Sequence, residues 1–147
     1  MKFRFPVLII DEDFRSENTS GLGIRALAEA MEGEGAEVIG ATSYGDLSQF
    51  AQQQSRASAF ILSIDDEEFL TPDTEESAIA NLRAFIQEIR FKNNDIPIFL
   101  YGETRTSSHI PNDILRELHG FIHMFEDTPE FVARHILREA RSYTDGL

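Results

Sequence analysis

Five apolar runs punctuate this chain, and most are followed by apolar positions at helical spacing. Residues 5–10 (FPVLII) are nearly continuous in apolar character, as in a strand buried on both faces, and residues 16–23 make a polar, glycine-punctuated loop. From Leu22 the period turns helical: Leu22, Ile24, Leu27, Ala28 and Met31 share one face, and Gly33 and Gly35 end it. Residues 37–41 (EVIGA) predict a second strand. Ser43, with Asp46 three residues on, resembles a capping box and opens a helix through Leu47, Phe50 and Ala51 to about Ser55. Residues 57–64 (ASAFILSI) predict a third buried strand.

Residues 65–76 then hold seven acids and no base. Thr71 and Pro72 start a helix whose inward face is Ile79, Leu82, Phe85, Ile86 and Ile89, and residues 93–95 break it. Residues 96–101 (IPIFLY) predict the fourth strand, residues 102–113 a long polar loop and residues 114–119 a short helix. The last unit is the clearest. Its apolar run at residues 121–125 leads straight to a helix with Asp127 or Thr128 as N-cap, Pro129 at the first helical position and Glu130 at the positive helix end, running to about Tyr143. A strand that feeds a helix so quickly is an α/β signature. The alternation predicts an α/β, doubly wound fold. Its five-stranded parallel sheet has helices on both faces, right-handed crossovers and the flavodoxin-like order 2-1-3-4-5.

Composition narrows the function. At 147 residues the chain fits one domain, residues 1–147, with a core large enough to need no staples. Twenty-six acids against 13 bases give a net charge of −13, which argues against nucleic acid or an anionic membrane as partner. With no cysteine there are no disulfides or thiolate metal sites, and a cytoplasmic location is favoured. The basic, apolar start runs at once into Asp11, Glu12 and Asp13, so it reads as a first strand rather than a signal peptide. No apolar stretch approaches the roughly 20 residues that span a bilayer.

Ligands of such sheets bind outside the carboxyl ends of the strands, where Asp11, Glu12 and Asp13 would meet Asp65 and Asp66. Clustered carboxylates there can hold magnesium and accept a phosphoryl group, and in element order and in the pair Asp11 and Glu12 the chain resembles a response-regulator receiver domain. The resemblance implies an acceptor aspartate where the chain has Ile64, with Asp65 one place late and facing the other side of the strand. The receiver's hydroxyl position falls on Gly102, and its lysine and proline fall on Met124 and Phe125. Asp11, Glu12 and Asp65 are therefore a candidate vestigial acidic pocket, or simply solvated loop acids.

Other templates fit less well. There is neither GxGxxG after strand one nor a Walker lysine, and none of the four histidines opens an HExxH motif. His123, inside strand five, reads as a satisfied, partly buried side chain. Ser107 and Ser108 beside His109 have no oriented base. Neither Lys2 nor Lys92 sits in a context that suggests a Schiff base, so neither cofactor nor catalytic residue is expected here. Arg134, Arg138 and Arg141 recur at i, i+4 and i+7. They either pair with Glu130 and Glu139 along the helix or dock an acidic partner surface.

Four segments carry a more specific resemblance: VLIIDEDF at the start, ATSYGDL near 41–47, PIFLYGETR at 97–105 and FEDTPEFVARHI at 125–136. Together they resemble the N-terminal wing domain of the bacterial ornithine/lysine/arginine decarboxylases, which is receiver-like. The resemblance implies a non-catalytic assembly and regulatory domain, with the pyridoxal phosphate lysine and substrate pocket in domains downstream. It also implies homo-oligomeric packing of dimers into a ring, commonly a decamer, favoured by acid. In some lysine-specific members an alarmone nucleotide binds between subunits, and Arg116 lies in the region of a contributing arginine. The alternative is a stand-alone pseudo-receiver that binds a signalling partner without a phospho-acceptor.

Overall fold

The three central strands are apolar on both faces and buried along nearly their whole length, so helices must cover the sheet from both sides. A computed structural model of the chain describes residues 5–43, 56–64, 71–92, 95–103, 106–124 and 126–146. Its strands are β1 Val7–Ile10, β2 Val38–Ala41, β3 Ala59–Ser63, β4 Ile98–Gly102 and β5 Gly120–His123. They form one parallel sheet in the order β2-β1-β3-β4-β5, as the hydrophobic pattern predicts. The described helices are α1 Thr19–Gly33, α2 Pro72–Lys92, α3 Asn112–Leu115 and α4 Pro129–Asp145. The expected helix at residues 43–55 lies outside the described residues apart from Ser43.

Strand alternation divides the core in two. Ile9, Ile61, Phe99 and Ile122 face α1 and α4, against Ile24, Leu27, Met31, Val132, Ile136 and Leu137. Leu8, Ile10, Phe60, Leu62, Ile98 and Leu100 face α2 and α3, meeting Ile79, Leu82, Phe85, Ile86, Ile89 and Ile114. Every residue predicted for the inward face of α2 is buried. Each such side chain contributes about 1.5–3 kcal/mol by leaving water.

Helix boundaries depart from the sequence reading where local polar contacts override periodicity. Helix α1 begins at Thr19, because the Asn18 side chain caps it by accepting the Gly21 N–H at 2.8 Å. Gly21, rather than Leu22, then takes the inward position, and Leu22 is 54% exposed. A Cβ on Gly21 would lie 2.2 Å from the Ser16 carbonyl oxygen, so the loop packs on the helix only because that atom is missing. Helix α3 starts earlier than expected, at Asn112, and a 3₁₀ turn at Thr106–His109 interrupts the polar loop before it. At α4 the N-cap is Thr128, without a side-chain cap bond, while the Asp127 carboxylate accepts the His123 N–H at 2.8 Å and closes the β5 turn.

Two arginines of α2 hold the α3 segment in place. Arg83 reaches Asp113 at 2.7 Å, and Arg90 donates to the Ile96 and Glu117 carbonyls, both at 2.7 Å, and to the Glu117 carboxylate at 2.9 Å.

Candidate functional site at the carboxyl ends of the strands

Asp11 leaves β1 pointing into the α1–α4 side of the sheet and is only 2% exposed. The Asp13 N–H donates to its Oδ1 at 2.8 Å, while Oδ2 makes no hydrogen bond among the described residues. Burial pushes the carboxyl up to about 6 against the opposing pull of the Asp13 N–H and the Ser63 hydroxyl, with Asp13 and Glu12 adding like-charge repulsion. The nearby Tyr101 phenol is pushed up to about 12, by burial first and then by the Asp11 charge. Neither Ser63 nor Tyr101 was singled out in the sequence. Tyr101 could have been, since it shares a strand face with Phe99 two residues before it.

Of the acids expected to converge here, the described ones, Asp11, Glu12 and Asp13, sit in different surroundings. Asp13 turns to its own loop, taking bonds from Ser16 Oγ at 3.4 Å and Asn18 Nδ2 at 3.3 Å. Glu12 is exposed and lines a shallow cleft of about 200 Å³ on the other side of the sheet, with Thr42, Ser43, Ser63 and Asn81. Asp65 and Asp66 lie outside the described residues. Among the described residues no three acidic or histidine side chains are grouped to hold a metal ion.

Packing occupies the places where a receiver does its chemistry. Ile64 is 3% exposed and belongs to the apolar cluster under α2. A Cβ on Gly102 would stand 2.9 Å from the Ile64 carbonyl oxygen, so any larger residue there requires backbone movement. Met124 follows β5, donates its N–H to the Gly102 carbonyl at 2.8 Å and packs half-buried against the α1–α4 cluster. What remains is one buried carboxyl that holds its proton more tightly than a solvated aspartate, with no carboxylate, hydroxyl or lysine side chain at Ile64, Gly102 and Met124.

The other candidates are scattered. His123 is half-buried, as expected, but not satisfied: its ring lies tilted 4.9 Å from Phe121, and its buried Nδ1 has no hydrogen-bond partner among the described residues. His119 Nδ1 accepts the Ile98 N–H at 3.4 Å, and burial and then Arg90 hold its pKa below the ordinary value. Pyridoxal phosphate needs an enclosed lysine, but Lys92 sits 45% exposed at the end of α2, 3.9 Å from Glu88. The described residues do not fit that cofactor.

Arg134, Arg138 and Arg141 share the exposed side of α4, whereas Arg116 sits exposed after α3 on the opposite layer. Arg134 makes a 3.8 Å contact to Glu34 at the end of α1, which lies alongside α4. Arg138 reaches His135 Nδ1 at 3.0 Å. No helix among the described residues is long and apolar enough to cross a membrane.

The fold is receiver-like, with Ile64, Gly102 and Met124 packed at the ends of its strands. A response-regulator receiver domain from Clostridium thermocellum superposes with a TM-score of 0.65 at 14% identity, covering 97% of this chain and 99% of that one. The model of the ornithine/lysine/arginine decarboxylase N-terminal domain family matches residues 19–143, and the chain belongs to that family. Lysine decarboxylase LdcA of Pseudomonas aeruginosa is 27% identical over 147 residues, 98% of this chain and 19% of that protein. The biodegradative arginine decarboxylase of Escherichia coli is 24% identical over 143 residues, 96% of this chain and 18% of that protein. The solved lysine decarboxylase A structure from P. aeruginosa superposes with a TM-score of 0.78 at 24% identity, over 99% of this chain. The chain spans about a fifth of the length of these decarboxylases.

Proposed function

We propose that residues 1–147 are a single non-catalytic domain of a pyridoxal-phosphate-dependent basic amino acid decarboxylase, acting in assembly and regulation, with the cofactor and substrate domains downstream. The observation that carries this reading is the match of residues 19–143 to the decarboxylase N-terminal domain family, with almost the whole chain matching about a fifth of the length of two decarboxylases. The filling of the receiver positions by Ile64, Gly102 and Met124 supports it, since the domain is left with packing and surface charge as its means of action.

The regulation proposed is acid-favoured oligomerisation of a cytoplasmic enzyme, from dimers toward a decamer. Twenty-six carboxylates on a small surface repel other copies at neutral pH. Protonation of crowded acids and accessible histidines lowers that repulsion as pH falls toward 5. Arg116 and the Arg134, Arg138 and Arg141 stripe are the proposed interface residues, and Arg116 is the proposed contact for an alarmone nucleotide. The test is deletion of residues 1–147 from the full-length enzyme. Retained decarboxylase activity per subunit with loss of the larger assemblies supports the role; unchanged assembly, or activity in the isolated domain, overturns it.

The second reading, a stand-alone pseudo-receiver binding a signalling partner, is favoured by the end-to-end match to a free receiver domain. A reading frame continuing into a Ser-x-His-Lys site excludes it.

A further inference from the structure

Of the large hydrophobic side chains that stand exposed among the described residues, Leu22 and Phe131, at 54% and 71%, belong to the paired helices α1 and α4. On α4, Phe131, Arg134, Arg138 and Arg141 recur at i, i+3, i+7 and i+10 and make one exposed stripe. On α1, Leu22, Ala26, Glu29 and Gly33 recur at i, i+4, i+7 and i+11 on the side away from the buried Ile24, Leu27, Ala28 and Met31. Where the helices meet, Arg134 and Glu34 pair at 3.8 Å with side chains 72% and 50% exposed, a contact weak enough to exchange. The joint face thus has two apolar side chains, the small Ala26 and Gly33 on α1, an arginine stripe on α4 bounded by Glu130 and Asp145, and an acidic edge of Glu29 and Glu34 along α1 and its end.

We propose that the α1–α4 face is an isologous docking surface for a second copy of this chain. The proposal deepens the assembly role above and rests on it, adding the surface and its occupant. A two-fold axis lays α4 of one copy across α1 of the other, so the arginine edge meets Glu29 and Glu34 twice. Charge selects this occupant. A polyanion such as nucleic acid meets the glutamates along with the arginines, whereas a second copy satisfies both edges. A helix of 17 residues is about 25 Å long and two helices are about 20 Å wide, so the face offers about 500 Å² per copy. That lies under the ~800 Å² of a standard interface, so self-association is weak.

The test is sedimentation velocity of the 147-residue chain at high protein concentration and constant pH 7, in about 0.15 M salt, where long-range repulsion is screened beyond about 8 Å. The parent chain is expected to show a monomer–dimer equilibrium. Arg134→Glu with Arg138→Glu, and separately Glu29→Arg with Glu34→Arg, are each expected to weaken dimerisation at least tenfold, with the parent's circular dichroism retained. Mixing the two variants is expected to restore a heterodimer, because each reversed edge then meets its opposite.

The second variant carries less negative charge than the parent. If net repulsion alone governs assembly it dimerises more strongly, and that result overturns the face while leaving the acid-response reading intact. A parent that stays monomeric, or a mixture no larger than its components, also overturns the proposal and assigns the face to another partner. Phe131→Ser, which changes no charge, is expected to weaken the dimer several-fold; an unchanged dimer counts against the apolar anchor and the face with it.

Discussion

At the carboxyl end of β1 an acid is kept and buried, Asp11 at 2% exposed, whereas beyond β3 and β5 and at the end of β4 the chain presents Ile64, Met124 and Gly102. Both regions belong to one receiver-like frame, yet of these four positions only Asp11 carries a carboxyl. The difference follows from what each position does for the fold. The Asp11 carboxyl holds the loop that leads to α1 through the Asp13 N–H, and that loop is also fastened by Arg25 donating to the Phe14 and Ser16 carbonyls at 2.9 and 2.7 Å. Ile64 and Gly102 instead let the strand ends close on each other, the Ile64 N–H reaching the Tyr101 carbonyl at 3.0 Å. Packing thus occupies Ile64 and Gly102, while the acid at Asp11 shapes a loop.

The sharpest way to break this comparison is to restore the acceptor. Ile64→Asp places a carboxylate in the apolar cluster under α2 and is expected to destabilise the domain by about 3–5 kcal/mol at pH 7. A urea midpoint close to the parent's would show that the end of β3 is more open than its packing indicates.

Asp11 gives the next effect, and its sign is set by proton linkage. Its folded pKa, about 6, lies above the unfolded 3.8, so between those values the folded state binds more protons. The stability this group supplies is present below about pH 4 and lost as pH rises through 6, a change of about 3 kcal/mol at most. Asp11→Asn keeps the Oδ1 acceptor but does not titrate, so the stability difference between variant and parent is expected to move in the variant's favour from pH 4 to pH 7. Urea midpoints of the two proteins across that range measure it, and a pH-independent difference would mean the carboxyl is charged throughout. The smallest expected effect is Gly102→Thr, which restores the hydroxyl position. Its Cβ meets the Ile64 carbonyl, and a loss of about 1–3 kcal/mol in thermal or urea melts is expected.

Strand order and the inward face of α2 were legible because they depend on long apolar runs and on helical period, which average over many residues. Leu22 was misread because one capping bond from Asn18 and one close approach at Gly21 shifted the helix start, and neither leaves a periodic trace. The acidic site was legible in its residues but not in its geometry. Asp11, Glu12 and Asp13 are consecutive, yet one is buried, one exposed and one bonded to its own loop. The Arg134 partner, Glu34, is a hundred residues away in sequence, and only the packing of α4 beside α1 brings it near.

The central proposal is that the domain governs assembly through its charge. Sedimentation velocity of the full-length enzyme between pH 8 and pH 5 tests it most directly. The account predicts a shift toward larger species as pH falls and, near neutrality, as salt screens the acids. A distribution that stays fixed on acidification, or moves toward smaller species, contradicts it.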